Sequence, residues 1–323
     1  MLIKKDDINK ALEILRQDYK VFDYPLEGPN SVKPPKDVLF PSVEKMYEYK
    51  MGHKGEIREL SPADEKTVLF GIRPCDAKSI DAMDKVYLTK GYVDSYYAKR
   101  RDNVTIVAMG CVEPSRTCFC DSMGLNPNDA PSADVMINLS ADGGAYVLKA
   151  YTEKGKELLS KIESVAVNGN EKIKDDTKCS LKIEKAADLD KKLAGMFEHP
   201  IWDKVTKGCI GCGTCTYVCP TCYCFDIDSE NYGAEGCKYR CWDSCMFSDY
   251  TRMAGGANPR PSKKERLRNR YMHKLSYFNE RYGETLCVGC GRCIESCPSH
   301  LDISEFIEKA SKADACECGK ENE

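Results

Sequence analysis

Cys209-Ile-Gly-Cys212-Gly-Thr-Cys215-Thr-Tyr-Val-Cys219-Pro220 and, beyond residues 221–286, Cys287-Val-Gly-Cys290-Gly-Arg-Cys293-Ile-Glu-Ser-Cys297-Pro298 repeat one spacing, Cys-x2-Cys-x2-Cys-x3-Cys-Pro. Three thiolates separated by two residues wrap a loop around three irons of a [4Fe-4S] cubane. The fourth, carried onto the following helix, reaches the other cluster when two such runs are paired. The runs therefore exchange ligands. Cluster one takes Cys209, Cys212, Cys215 and Cys297; cluster two takes Cys287, Cys290, Cys293 and Cys219. The glycines between them (Gly211, Gly213, Gly289, Gly291) let backbone amides approach and donate to sulfur, which tunes potential.

The competing reading, a pair of four-cysteine zinc ribbons in a cysteine-rich binding module, normally uses CxxC pairs and not a triple with a distant cysteine-proline. Neither run sets a lone thiol beside histidine and aspartate in a nucleophile signature. The wider composition agrees. Twenty cysteines against four histidines in 323 residues disfavour mixed cysteine and histidine zinc sites. No export signal or apolar run long enough to span a bilayer is apparent, so cysteine enrichment points to metal or redox chemistry in a soluble cytoplasmic protein, not to disulfides. A net charge of -3, from 48 basic and 51 acidic residues, suggests neither nucleic acid nor membrane as partner.

Outward from the cysteine runs, the fold class reads as α+β: an N-terminal α/β domain over residues 1–168, a polar linker at 169–182, a mostly α-helical ferredoxin-like domain with two [4Fe-4S] clusters at 183–312, and a polar tail at 313–323. In the first domain, residues 6–18 show helical periodicity. Thr67–Ile72 and Val104–Met109 read as buried strands, and Asp76 as the N-cap of a helix running to Tyr87. Val135–Leu139 and Tyr146–Tyr151 flank a turn, and Thr152 caps a helix to Ile162. In the second domain, helical patterns cover 183–198 (Ala186, Leu189, Leu193), 263–280 and 302–312. The basic run Lys263, Lys264, Arg266, Arg268, Arg270 reads as a solvated face, with a docking surface for an acidic partner as the sharper alternative.

A second constellation lies in the first domain. Cys75 follows one expected strand, and Cys111, Cys118 and Cys120 follow the other. If those strands are neighbours, their C-terminal loops converge on a third all-cysteine [4Fe-4S] site. Cys222, Cys224, Cys237, Cys241 and Cys245, between the ferredoxin runs, are numerous enough for a fourth site but fit no ligand pattern; packing or supporting roles are the leading reading and a further cluster the alternative. Cys179, Cys316 and Cys318 fall in the linker and the tail, where disorder is the default.

Gly71-Ile-Arg-Pro-Cys-Asp76, Thr117-Cys-Phe-Cys120, Cys219-Pro-Thr-Cys-Tyr-Cys-Phe225, Trp242-Asp-Ser-Cys245, Met253-Ala-Gly-Gly256 and Cys287-Val-Gly-Cys-Gly-Arg-Cys293 together resemble the β subunit of cytosolic NiFe (sulf)hydrogenases and the related A subunit of anaerobic sulfite reductase. The resemblance spans residues 33–305. It implies a non-catalytic subunit that relays single electrons between a flavin- and NAD(P)-binding subunit and a catalytic or ferredoxin-like subunit. Cys237 and Cys241 stand outside the family pattern. The chain has no GxGxxG after a strand and no P-loop, so its flavin and dinucleotide are expected on a partner. A self-sufficient enzyme, with flavin or substrate in the N-terminal domain, is the alternative that flavin analysis of the purified chain separates.

Overall fold

The computed structural model describes residues 1–167, 169, 171–185 and 187–313. The chain divides into two units. The first comprises Met1–Pro35, Ala63–Lys182 and Val288–Cys290; the second comprises Lys36–Pro62, Ile183–Cys287 and the chain from Gly291.

The first unit is built on a six-stranded sheet in the order Leu2–Lys4, Ala145–Ala150, Val135–Leu139, Val104–Met109, Thr67–Ile72, Lys20–Asp23. The last four of these strands run parallel, and the Val135–Leu139/Ala145–Ala150 hairpin is antiparallel. Thr67–Ile72 and Val104–Met109 are buried at every position. That is why they read as unbroken apolar runs: helices cover both faces of such a sheet, which erases the period of two. On one face Val68, Phe70, Val107 and Ile137 pack with Leu12 and Leu15 of helix Ile8–Asp18 and with Leu158 of helix Glu153–Lys161. Helix Pro74–Tyr87 packs against Val104–Met109.

Asp76 is not the cap of that helix. Pro74 occupies the first helical position, where its fixed φ suits the helix and its missing N–H costs nothing. Arg73 takes the cap position, and Asp76 is buried in the first turn, accepting from Asn30 Nδ2 at 3.0 Å. Thr152 does cap its helix, accepting from the Gly155 amide.

The second unit contains more than helices. A four-stranded antiparallel sheet runs in the order Glu56–Glu59, Val43–Lys50, Glu235–Trp242, Phe225–Tyr232. Residues 36–62, placed by sequence in the first domain, therefore belong with the second, joined to it by the pairing of Val43–Lys50 with Glu235–Trp242. These strands escape a periodicity reading because most of their side chains are exposed or half-buried on both faces. Their buried feature is ionic: Arg240 and Glu44, cross-strand neighbours, pair at 2.6 Å, each at most 3% exposed.

Lys263–Met272 opens with a capping box between Ser262 and Glu265. It runs on through a π-helical turn, His273–Tyr277, to Tyr282, where Gly283 at φ 76° ends it. The expected helix at 183–198 forms only over Leu189–Gly195, closed early by Gly195 and Pro200. Ala186 and most of the tail, with Cys316 and Cys318, lie outside the described residues. Among the described residues, no helix is long and apolar enough to cross a membrane.

Candidate iron-sulfur centres

The two cysteine runs fold alike. Gly211 and Gly213 have φ 75° and 76°; Gly289 and Gly291, at the same motif positions, have φ 63° and 75°. A left-handed residue before and after the second cysteine coils the loop so that successive thiols turn toward a common point, a conformation glycine adopts without a Cβ penalty. Each loop then enters a one-turn helix, Thr214–Tyr217 or Arg292–Glu295, which pack on one another.

Within the second unit, a cavity is lined by Cys209, Cys212 and Cys215 from the first run and by Cys297 from the second. Arg270, Tyr271 and Cys293 form its inner wall. Among the described residues no three cysteine, histidine or acidic side chains crowd closely enough to hold a single metal ion. The thiols surround a space instead of a point.

Charge accounts for the rest of the surroundings. Arg266, Arg268 and Arg270, expected on a solvated face, are all buried, as are Lys36 and Lys274. The run is basic because the helix faces sulfur and carbonyl groups: Arg270 donates to Cys215 O at 3.2 Å, and Lys263 to Cys209 O at 2.7 Å. Lys274, on the π-helical turn, donates to Thr221 Oγ1 at 3.0 Å. Lys36 donates to Thr216 O and Cys222 O and lies over the Trp242 ring.

Burial disfavours the charged form of each of these three, and thiolates oppose that effect. At Arg270 the charges of Cys215 and Cys293 prevail, and its pKa stands well above the ordinary value. At Lys274 those of Cys219 and Cys222 prevail in the same sense. At Lys36 burial wins and the pKa falls, although Cys222, Cys219 and Cys224 pull against it. Burial pushes Cys215 up to about 11, with Arg270 opposing.

Cations buried away from carboxylates are costly unless an anion lies beside them. None of Lys36, Arg270 and Lys274 forms an ion pair with a carboxylate among the described residues, and Arg270 Nε is buried with no hydrogen-bond partner. A cubane held by four thiolates carries net negative charge, so the residues present fit that group.

For the second ligand set, Cys219, Cys287 and Cys293 lie in the second unit, with Cys219 and Cys287 both in electrostatic reach of Lys274. Cys290 falls with Val288 and Gly289 in the first unit, where it packs against Cys75. There a Cβ on Gly289 would stand 2.7 Å from the Cys120 backbone, so only glycine permits the approach, and Phe119 N donates to Gly289 O at 2.8 Å.

The first unit also gathers cysteines at the ends of its parallel strands. Cys75 sits in the first turn of its helix, receiving a 3.6 Å contact from Asn30 Nδ2, and Cys118 donates to Cys290 O at 3.5 Å. Cys120 is within electrostatic range of Cys75 and Cys118, and Cys111 of Arg73 and Cys179. Cys179 escapes a reading of the sequence alone. Far from disordered, it is 2% exposed, its Sγ 3.4 Å from that of Cys120 and its amide bonded to Asp121. The segment has no apolar periodicity; polar straps, Asn128 Nδ2 to Asp175 O and Thr177 O and the Lys182–Asp121 pair, hold it.

Comparison with known proteins is consistent with this geometry. Residues 208–301 match the 4Fe-4S dicluster domain family. The chain is also similar to the protein named sulfhydrogenase 2 subunit beta from Pyrococcus furiosus, 34% identical over 296 residues, which are 88% of this chain and 84% of that one.

Proposed function

Because the chain belongs to the sulfhydrogenase β-subunit family and is an iron-sulfur electron-transfer protein, we propose that it relays single electrons between a flavin subunit that handles NAD(P)H and a catalytic or ferredoxin-like subunit. Bound clusters change charge by one electron with little reorganisation, which lets a line of them divide a two-electron donor's output into single steps. The protein's own part is to bind, space and bias those centres. Cys209, Cys212, Cys215 and Cys297 hold the first, and Cys287, Cys290, Cys293 and Cys219 the second. Cys75, Cys111, Cys118 and Cys120 hold a third. Arg270 and Lys274 supply positive charge that favours the reduced, more negative state at their neighbours.

The observation that carries this reading is the cavity joining three thiols of the first run to Cys297 of the second. Ligand exchange between runs is the mark of a paired-cluster ferredoxin domain. Iron analysis of oxygen-free preparations tests it. Cys297→Ala is expected to lower iron by about four atoms per chain, and Cys118→Ala by about four more; iron unchanged by Cys297→Ala rejects the first assignment, and iron unchanged by Cys118→Ala rejects the third site alone.

A further inference from the structure

Among the described cysteines, Cys212 alone is exposed. The other thiols of its cavity, Cys209, Cys215 and Cys297, are buried or half-buried, as are Cys219, Cys287, Cys290 and Cys293 of the second set. The cavity therefore reaches the surface at one corner, and that corner is bare. Gly208 and Ile210 are exposed beside it, Ile210 to 63%. Ile210 lines the cavity with part of its side chain and leaves the rest in water. It is the type of residue that a partner covers.

Basic side chains outnumber acidic ones around the corner. Lys263 lies along Gly211 with its ammonium on Cys209 O. Lys204 and Lys207 are exposed on and just beyond helix Ile201–Thr206. The acidic neighbours are already engaged: Asp203 pairs with Lys264, and Glu265 closes the capping box with Ser262. Lys204, Lys207, Lys263 and Lys264 against Asp203 and Glu265 leave a local excess of two positive charges, although the whole chain is slightly negative.

We infer that the Ile210–Cys212 corner is the port through which cluster one exchanges electrons with an acidic one-electron redox protein, of ferredoxin type, docked on the surrounding lysines. The inference rests on the ligand set of cluster one proposed above. One electron crosses per encounter: the partner's centre is oxidised and cluster one reduced, or the reverse, and no bond or proton changes place. The apolar Ile210 supplies a dry contact at the crossing point. The lysines steer the encounter, which raises the association rate more than the final affinity and makes it sensitive to salt.

The test uses the whole chain, oxygen-free, with a small acidic plant-type ferredoxin as probe, a basic cytochrome c as the opposite-charge probe, and methyl viologen as a small donor. Lys204→Glu/Lys207→Glu is expected to slow electron exchange with the ferredoxin about tenfold at low salt, to flatten its salt dependence and to weaken ferredoxin binding comparably. Ile210→Asp should weaken binding at all salt concentrations. Reduction of the lysine variant by methyl viologen should stay within about twofold, showing intact clusters. Unchanged ferredoxin exchange and binding in both variants overturns the port. So does faster exchange of the native chain with cytochrome c than with ferredoxin. Failure of Cys297→Ala to alter iron content would instead bring down the ligand assignment, a separate readout.

Discussion

The two units solve the problem of cohesion by different means. In the first, four parallel strands are sealed between helices, and side chains such as Val68, Phe70, Ile106 and Ile137 are at most 1% exposed. In the second, aromatic side chains such as Trp202, Tyr271, Phe278 and Phe306 share the interior with arginines, lysines and thiols, and its sheet carries a buried Arg240–Glu44 pair on strands otherwise largely open to water. Hydrocarbon burial stabilises the first at about 25 cal/mol per Å² whatever is bound. The second also buries Lys36, Arg270 and Lys274 without a carboxylate beside them, so its stability is expected to depend on an anionic cofactor.

The largest expected effect follows directly. Removing iron by chelation under oxygen-free conditions should leave slow amide exchange at Val68, Ile106 and Ile137, while protection collapses in Lys263–Met272 and around Thr214–Tyr217. Equal retention of protection in both units would break the comparison, because the buried cations would then be tolerated without their counter-charge.

The same contrast decides what could be read from sequence. Thr67–Ile72 and Val104–Met109 were legible to the residue because full burial writes itself as an apolar run. The cysteine runs were legible because cubane ligation fixes the spacing of its ligands. The strands Val43–Lys50 and Phe225–Tyr232 were not, since water on both faces leaves no alternation. Arg266, Arg268 and Arg270 misled for a physical reason: charge normally marks the solvated side of a helix, and here Arg266 turns to the carbonyls of Arg260 and Pro261, Arg268 to Phe197 O and Glu198, and Arg270 to Cys215 O. Cys179 lay beyond reach because its place depends on polar contacts made by Asp121 and Asn128 across the fold.

A core substitution sharpens the contrast from the other side. Phe70 is 1% exposed and packs within the cluster that includes Leu12 and Val107. Phe70→Ala should cost the first unit about 3–5 kcal/mol, the range for deleting a buried aromatic ring. Thermal or denaturant unfolding measures it. Iron per chain should not change, and a loss of iron alongside would show that the hydrocarbon core and the sulfur centres are not separately stabilised.

The smallest effect is the most diagnostic because its sign depends on the cofactor. Lys274 is 2% exposed and hydrogen-bonded to Thr221, with Cys219 and Cys222 providing the charge that keeps it protonated against burial. In the iron-loaded protein, Lys274→Met removes a cation from beside an anionic centre and should destabilise by about 3 kcal/mol, as for breaking a buried pair. It should also lower one cluster's reduction potential, since the added electron loses a neighbouring positive charge. In the iron-free protein the same substitution removes a buried cation whose counter-charge has gone, so it should be neutral or stabilising. Paired unfolding curves with and without iron, together with an EPR-monitored redox titration, measure both effects. A destabilisation of equal size in the two states would mean that Lys274 serves the fold through Thr221 alone.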